Sequence, residues 1–178
     1  MRKSLKAIII ALLFIGSYGL AWLFYQNGHD WLGSKVNHGE LLPAAVSLNG
    51  EVPHYTPGKW TLLYVLPGHC EAVCLKNLYQ IHQLYIALGK NATRVQRLVA
   101  HDIAEAALPV AQQEVNMPWV HAPLSHFIRR NSNVTLPSSG KLFIVDPHGM
   151  IILAYQDDVV PKSVYKDLER LFQASLIG

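Results

Sequence analysis

Charge is scarce in this chain. Only 15% of its 178 residues are Asp, Glu, Lys or Arg, against 51% hydrophobic residues. That balance excludes an intrinsically disordered chain, which needs high charge and few apolar residues. The formal net charge is +3, and Arg2, Lys3 and Lys6 all sit at the N-terminal end. The remainder is close to neutral, which excludes the basic surface of a nucleic-acid partner. Internal repeats and low-complexity segments are absent. Cysteine is nearly absent, so any thiol chemistry rests on the one pair, Cys70 and Cys74.

What the chain does hold, first, is a long uncharged run. Ala7 to Tyr25 carries no charged residue and closes with Trp22, Phe24 and Tyr25. Roughly 20 apolar residues span a bilayer, and aromatic residues mark its interface. Residues 1–6 therefore read as a basic cytoplasmic flank and 7–25 as a transmembrane anchor, with the rest exported. The run is long for a cleaved signal peptide, and no small-x-small site ends it. Residues 26–45, with Gly28, Gly33, Gly39 and Pro43, read as a linker in which His29, His38 and Glu40 are solvated. Residues 46–178 read as the folded domain, about 130 residues and enough for a core. It is expected to open with a short hairpin over Val46–Gly58, where Asn49-Gly50 and Pro57-Gly58 signal turns.

The domain is organised around Lys59–Leu88. Trp60 to Leu66 is a short apolar run rich in β-forming residues, and Pro67-Gly68 stops it. A helix is expected from Glu71 to about Gly89, with Leu75, Leu78, Tyr79, His82 and Tyr85 on one face. Cys70 and Cys74 stand at its start, four positions apart. In one helical turn their Cα atoms would lie roughly 6 Å apart, within reach of a disulfide. Unpaired N–H groups at a helix start favour a thiolate. Such a pair can shuttle a disulfide, clamp a soft metal such as Cu(I), or serve as a structural staple.

Further along, Arg94–His101 reads as a strand and Glu105–Val115 as a helix. Asn116–Asn133 reads as irregular apart from a short helix over Leu124–Arg130, and it carries Met117, His121 and His126. Lys141–Asp146 and Met150–Tyr155 form a hairpin across Pro147-His148-Gly149. Pro161 opens a last helix whose buried face is Val164, Leu168, Leu171 and Phe172.

Strand, cysteine-bearing helix, strand, helix, hairpin and final helix together resemble the thioredoxin superfamily over Val46 to the C-terminus. The resemblance implies an α/β class, a three-layer α/β/α sandwich behind an N-terminal transmembrane helix. Leu48-Asn49-Gly50, then Gly58-Lys59-Trp60, and Phe143-Ile144-Val145-Asp146-Pro147-x-Gly149 look like the matching parts of TlpA-like and Sco-like domains. Three residues separate the cysteines, Glu71, Ala72 and Val73, as in the Sco copper-delivery family rather than in thioredoxins. The chain is also similar to a small group of uncharacterised bacterial membrane proteins encoded alongside cytochrome oxidase genes. It shares with them the segments Leu142–Gly149, Lys166–Leu171 and Ser175–Gly178.

The resemblance implies a single-pass protein of the bacterial inner membrane, with its N-terminus cytoplasmic and its domain in the periplasm. It implies Cys70 and Cys74 as redox residues and as ligands of copper, and His121, in the irregular stretch over Asn116–Asn133, is the candidate third donor. It implies a cytochrome oxidase subunit or another thiol protein as partner. There are departures. Where Sco proteins carry a copper-binding His ahead of the hairpin, this chain has Ser138, and Leu75 follows Cys74 where they have Pro. Pro137 is the candidate for the superfamily's cis-proline, with a trans loop proline as the alternative. Three functions follow. One is a tethered thiol–disulfide or copper-handling protein that assists oxidase assembly. A second is an accessory protein stapled by Cys70–Cys74. A peroxidase ranks last, for want of the Thr and Arg that activate peroxide.

Overall fold

The computed structural model describes residues 6, 12–23, 25, 37–48, 50–53, 55–102, 117–132 and 134–175. The chain divides into two units, Met1–Val36 and Asn37–Gly178. In the first, residues 12–23 are helical. Among the described residues no helix is long and apolar enough to cross a membrane. Much of the span expected over 7–25 lies outside them.

The second unit runs β1 (Glu40–Ser47), β2 (Trp60–Leu66), α1 (Ala72–Ala87), a 3-10 turn (Gly89–Arg94), β3 (Val95–His101), β4 (Trp119–His121), α2 (Leu124–Asn131), β5 (Lys141–Val145), β6 (Met150–Ala154) and α3 (Pro161–Ala174). The strands form one six-stranded sheet in the order β1-β6-β5-β2-β3-β4. β2, β3 and β4 run parallel, and β5 pairs antiparallel with both β2 and β6. The central strand β2 is buried along its whole length. That explains its unbroken apolar sequence, since a strand covered on both faces has no polar side to alternate with.

Alternation along β2 sorts the core into two layers. Trp60, Leu62, Tyr64 and Leu66 pack with Leu78, Ile81 and Leu84 of α1 and Leu168 and Phe172 of α3. Leu63 and Val65 pack on the other side with Leu124 and Ile128 of α2. Each of these large side chains contributes about 2 kcal/mol when fully buried. The result is the α/β/α sandwich expected from the sequence.

Several boundaries hold. Gly89 follows α1 with φ +52°, the left-handed position a C′ glycine serves. Pro161 opens α3 at its first position, where its missing N–H costs nothing.

Other expectations need correction. The domain starts before residue 46: β1 begins at Glu40, inside the stretch read as linker, and pairs antiparallel with β6. Proline usually argues against a strand, but β1 is an edge strand and its register shifts between Leu41 and Val46, around Pro43. Among the described residues of Val46–Gly58 no second strand completes the expected hairpin. The two ends of the stretch meet the β5–β6 turn instead, with Leu48 N–H donating to the Gly149 carbonyl and Gly58 N–H to that of Pro147. The buried face of α1 is Cys74, Asn77, Leu78, Ile81 and Leu84. Leu75 and Tyr79 are exposed instead. The Leu136–Pro137 bond is trans. The helix expected over Glu105–Val115 lies outside the described residues, as does His29.

His38 is not merely solvated. Its backbone N–H and that of Gly39 donate to the buried Asp167 carboxylate of α3 at 2.9 Å, and its Nδ1 lies 3.0 Å from Oδ1. The Tyr155 hydroxyl donates to the same carboxylate at 2.9 Å. This anchor fixes where the domain begins.

Candidate functional site

The site forms where β2 gives way to α1. β2 ends at Leu66, Pro67-Gly68 turns the chain, and Cys70 precedes the helix N-cap, Glu71. The first helical hydrogen bond runs from Leu75 N–H to the Glu71 carbonyl, at 3.0 Å. Cys74 lies in the first turn of α1, but Cys70 lies just outside it. The two are joined in a disulfide with a Cα–Cα distance of 5.1 Å.

The two sulfurs differ in access. Cys74 is fully buried, packed in the layer with Leu66 and Leu78, whereas Cys70 is only partly buried at its edge. An attacking thiolate must reach a sulfur along the S–S axis, so access selects Cys70. Cys74 is then the leaving group, departing as a thiolate in the first turn of a helix. There the free N–H groups stabilise it. His69 and Glu71 flank Cys70 and are both exposed.

A buried polar hub lies under the pair. Asn77, one turn after Cys74, is fully buried on α1. Its Nδ2 donates to the Asp157 carbonyl at 2.7 Å and to the Tyr64 hydroxyl at 3.2 Å, while Val159 N–H donates to its Oδ1 at 3.1 Å. The Tyr64 hydroxyl donates in turn to the Ser139 carbonyl at 2.6 Å. Burial pushes the Tyr64 phenol up to about 12, the Asn77 hydrogen bond works against that, and the Asp157 charge adds to it. Gly140, φ +90°, lies close against the Tyr64 side chain, where a Cβ would come within 2.6 Å of the ring. The same loop closes on the turn before the cysteines. A Cβ on Gly68 would lie 3.2 Å from the Ser138 carbonyl oxygen.

The two histidines expected near the pair, His121 and His126, lie on β4 and α2. His121 is exposed at the end of β4, in register with the buried His101 of β3, which is in register with Leu66 of β2. The two imidazoles meet edge to face with centroids 5.6 Å apart, and Trp119 lies 6.0 Å from His101. His126 is exposed on α2. Among the described residues no three His, Cys, Asp or Glu side chains are grouped so as to hold a metal. The structure thus brings Cys70 and Cys74 together and places His121 with His101.

Sequence reasoning passed over His101, Tyr64 and Asn77. Asn77 carried the clearest signal, a polar residue between Cys74 and Leu78 on a buried helix face. His101 ends a strand parallel to β2, at the sheet end that carries the cysteines.

No curated protein matches the chain. Solved structures share the fold at low identity. The apo Sco1 protein of Thermus thermophilus is 17% identical with a TM-score of 0.56, over 76% of this chain and 96% of that one. Arabidopsis thaliana ScoI with copper bound is 14% identical with a TM-score of 0.53, over 78% and 99%. A yeast mitochondrial 1-Cys peroxiredoxin is 15% identical with a TM-score of 0.53, over 79% and 77%. Copper-binding and peroxide-related proteins share this architecture, so these likenesses establish the fold alone. The family described as transmembrane-like, thioredoxin-like, C-terminal domain matches residues 60–175, which run from the first residue of β2 through the disulfide and the hairpin to just past α3. With most of the sequence inside that match, the chain belongs to this family of transmembrane-like, thioredoxin-like C-terminal domains.

Proposed function

We propose that this protein is a membrane-tethered thiol–disulfide exchange protein of the bacterial inner membrane, with its domain in the periplasm, that assists cytochrome oxidase assembly. One observation carries the chemistry: the disulfide offers one reachable sulfur and one sealed one. In the reducing direction for this pair, a partner thiolate attacks Cys70 Sγ. The Cys70–Cys74 bond breaks, and Cys74 leaves as a thiolate. A second partner thiol then attacks the mixed disulfide at the partner's own sulfur and frees Cys70. Two electrons pass to this protein and the partner's dithiol becomes a disulfide. The reverse sequence reduces a partner, with Cys74 resolving the intermediate. The uncharged run Ala7–Tyr25 behind Arg2, Lys3 and Lys6 supports the tether and its orientation.

The test is capture of the mixed disulfide in membranes. Cys74→Ser keeps the reachable sulfur and removes the resolving one, so it should accumulate thiol-reducible adducts. Cys70→Ser should accumulate none, because Cys74 is sealed. Capture by neither variant would leave the pair as a staple, and equal capture by both would overturn the difference in access.

Cu(I) handling by the reduced pair is a second reading, supported by two thiolates whose Cα atoms lie 5.1 Å apart. A Cu(I) titration of the reduced protein against a competing chelator should give one-to-one binding that the Cys70→Ser, Cys74→Ser double variant abolishes. Binding no tighter than that of the double variant removes copper and leaves exchange.

A further inference from the structure

The hub beneath the disulfide joins the two halves of the site. Cys74 is carried by α1, and Asn77 stands on the same face one turn later. Cys70 is carried by the turn after β2, and that turn leans on Ser138 through Gly68. Between them runs an unbroken chain, Asn77 to Tyr64 to the Ser139 carbonyl, with Asn77 also tied to Asp157 and Val159. Both amide hydrogens of Asn77 are used, and the Tyr64 hydroxyl both accepts and donates. Such a saturated, buried network specifies one arrangement, because any displacement strands a polar group away from water.

We propose that Asn77 and Tyr64 are positioning residues for the Cys70–Cys74 pair. By locking the 137–140 loop to α1 they hold the Cys70 turn against the cysteine helix, and so set the pair's reduction potential. The proposal rests on the reading of the pair as a cycling disulfide. Reduction consumes two electrons and two protons from a dithiol and yields two thiols. Re-formation depends on the effective concentration of one sulfur at the other. A hub that holds the Cys70 turn raises that concentration and favours the disulfide.

The experiment equilibrates the full chain in detergent with a graded dithiol–disulfide buffer and reads the fraction reduced. Tyr64→Phe keeps the ring against Gly140 and removes only the hydroxyl. The pair should become easier to reduce by roughly fivefold, the worth of one hydrogen bond, or about 20 mV less negative. Gly68→Ala pushes on the Ser138 carbonyl while leaving the Asn77 and Tyr64 side chains intact, and it should shift the pair the same way. Tyr155→Phe is the control: it deletes another buried phenol bond, to Asp167, that is no part of the Asn77–Tyr64–Ser139 chain. It should lower the melting temperature and leave the potential unchanged. The proposal is overturned if Tyr64→Phe and Gly68→Ala both stay within about twofold of the parent, or if Tyr155→Phe shifts the potential as far as they do. A parent disulfide more reducing than about −300 mV would sink the exchange reading instead, with the shifts among variants still measurable.

Discussion

At the scale of single residues, the largest stake outside the disulfide is Asp167. Its carboxylate is sealed in the domain and accepts from the backbone N–H groups of His38 and Gly39 and from the Tyr155 hydroxyl. Burial by itself would push this carboxyl up. The Gly39 N–H, the His38 imidazole and N–H and the Tyr155 hydroxyl outweigh it and hold the group below its ordinary value. A carboxyl depressed in the folded state stabilises the fold above its unfolded value, about pH 4, and loses that contribution as pH falls through the folded value. Asp167→Asn cannot accept all of these donors and should cost about 3 kcal/mol at neutral pH. Denaturant melts from pH 7 to pH 2 should show the parent losing stability below about pH 4. The variant should lack the part of that loss that belongs to Asp167. Superimposable curves would remove Asp167 as the anchor. At the alkaline end Tyr155 works with the opposite sign. Burial first, then the Asp167 charge and hydrogen bond, raise its phenol, so its contribution is full below about pH 10 and fades above.

At the scale of elements, legibility followed periodicity. β2 was legible to the residue, because a strand covered on both faces has an unbroken apolar run bounded by Gly58-Lys59 and Pro67-Gly68. α3 was legible because Val164, Leu168 and Phe172 recur on one face and Pro161 marks the start. α1 was legible as a helix but not in its rotation. Apolar residues occur almost all the way round it, so pattern alone allowed Leu75 and Tyr79 a buried place. The disulfide and the fully buried Asn77 turn the helix the other way, which exposes both. β4 has only three residues, too few for a period to register. Its place in the sheet comes from pairing with β3, which is a tertiary fact. For the site, Cys70 and Cys74 were legible from spacing at a strand–helix junction. The hub was not, because Tyr64 reads as one more strand aromatic, and its bond to the Ser139 carbonyl spans 75 positions.

At the scale of the whole molecule, the boundary of the domain separates stability from chemistry. Turn composition placed the start of the domain at residue 46. The structure divides the chain between Val36 and Asn37, and the stretch between those two limits holds the His38 and Gly39 donors and most of β1. β1 is the sheet's edge, whereas the cysteines follow β2, which lies three strands further in, past β6 and β5. A polypeptide beginning at Asn37 should therefore keep the melting temperature that the domain has in the full chain. One beginning at Val46 loses the His38 and Gly39 donors to Asp167 and the Glu40 and Leu41 half of the β1–β6 pairing. It should melt lower by on the order of 10 °C, since about 3 kcal/mol is removed from a domain of this size. It should also self-associate, because the Leu153–Ala154 end of β6 becomes an unpaired edge. As long as both remain folded, they should share the reduction potential of Cys70–Cys74, because the hub from Asn77 to Ser139 lies wholly within both. Thermal melts and dithiol titrations on the two polypeptides test this together. Equal melting temperatures would show that Glu40–Ala45 and the His38 and Gly39 donors to Asp167 are dispensable. A shifted potential in the shorter polypeptide would show that the sheet edge governs the disulfide from three strands away.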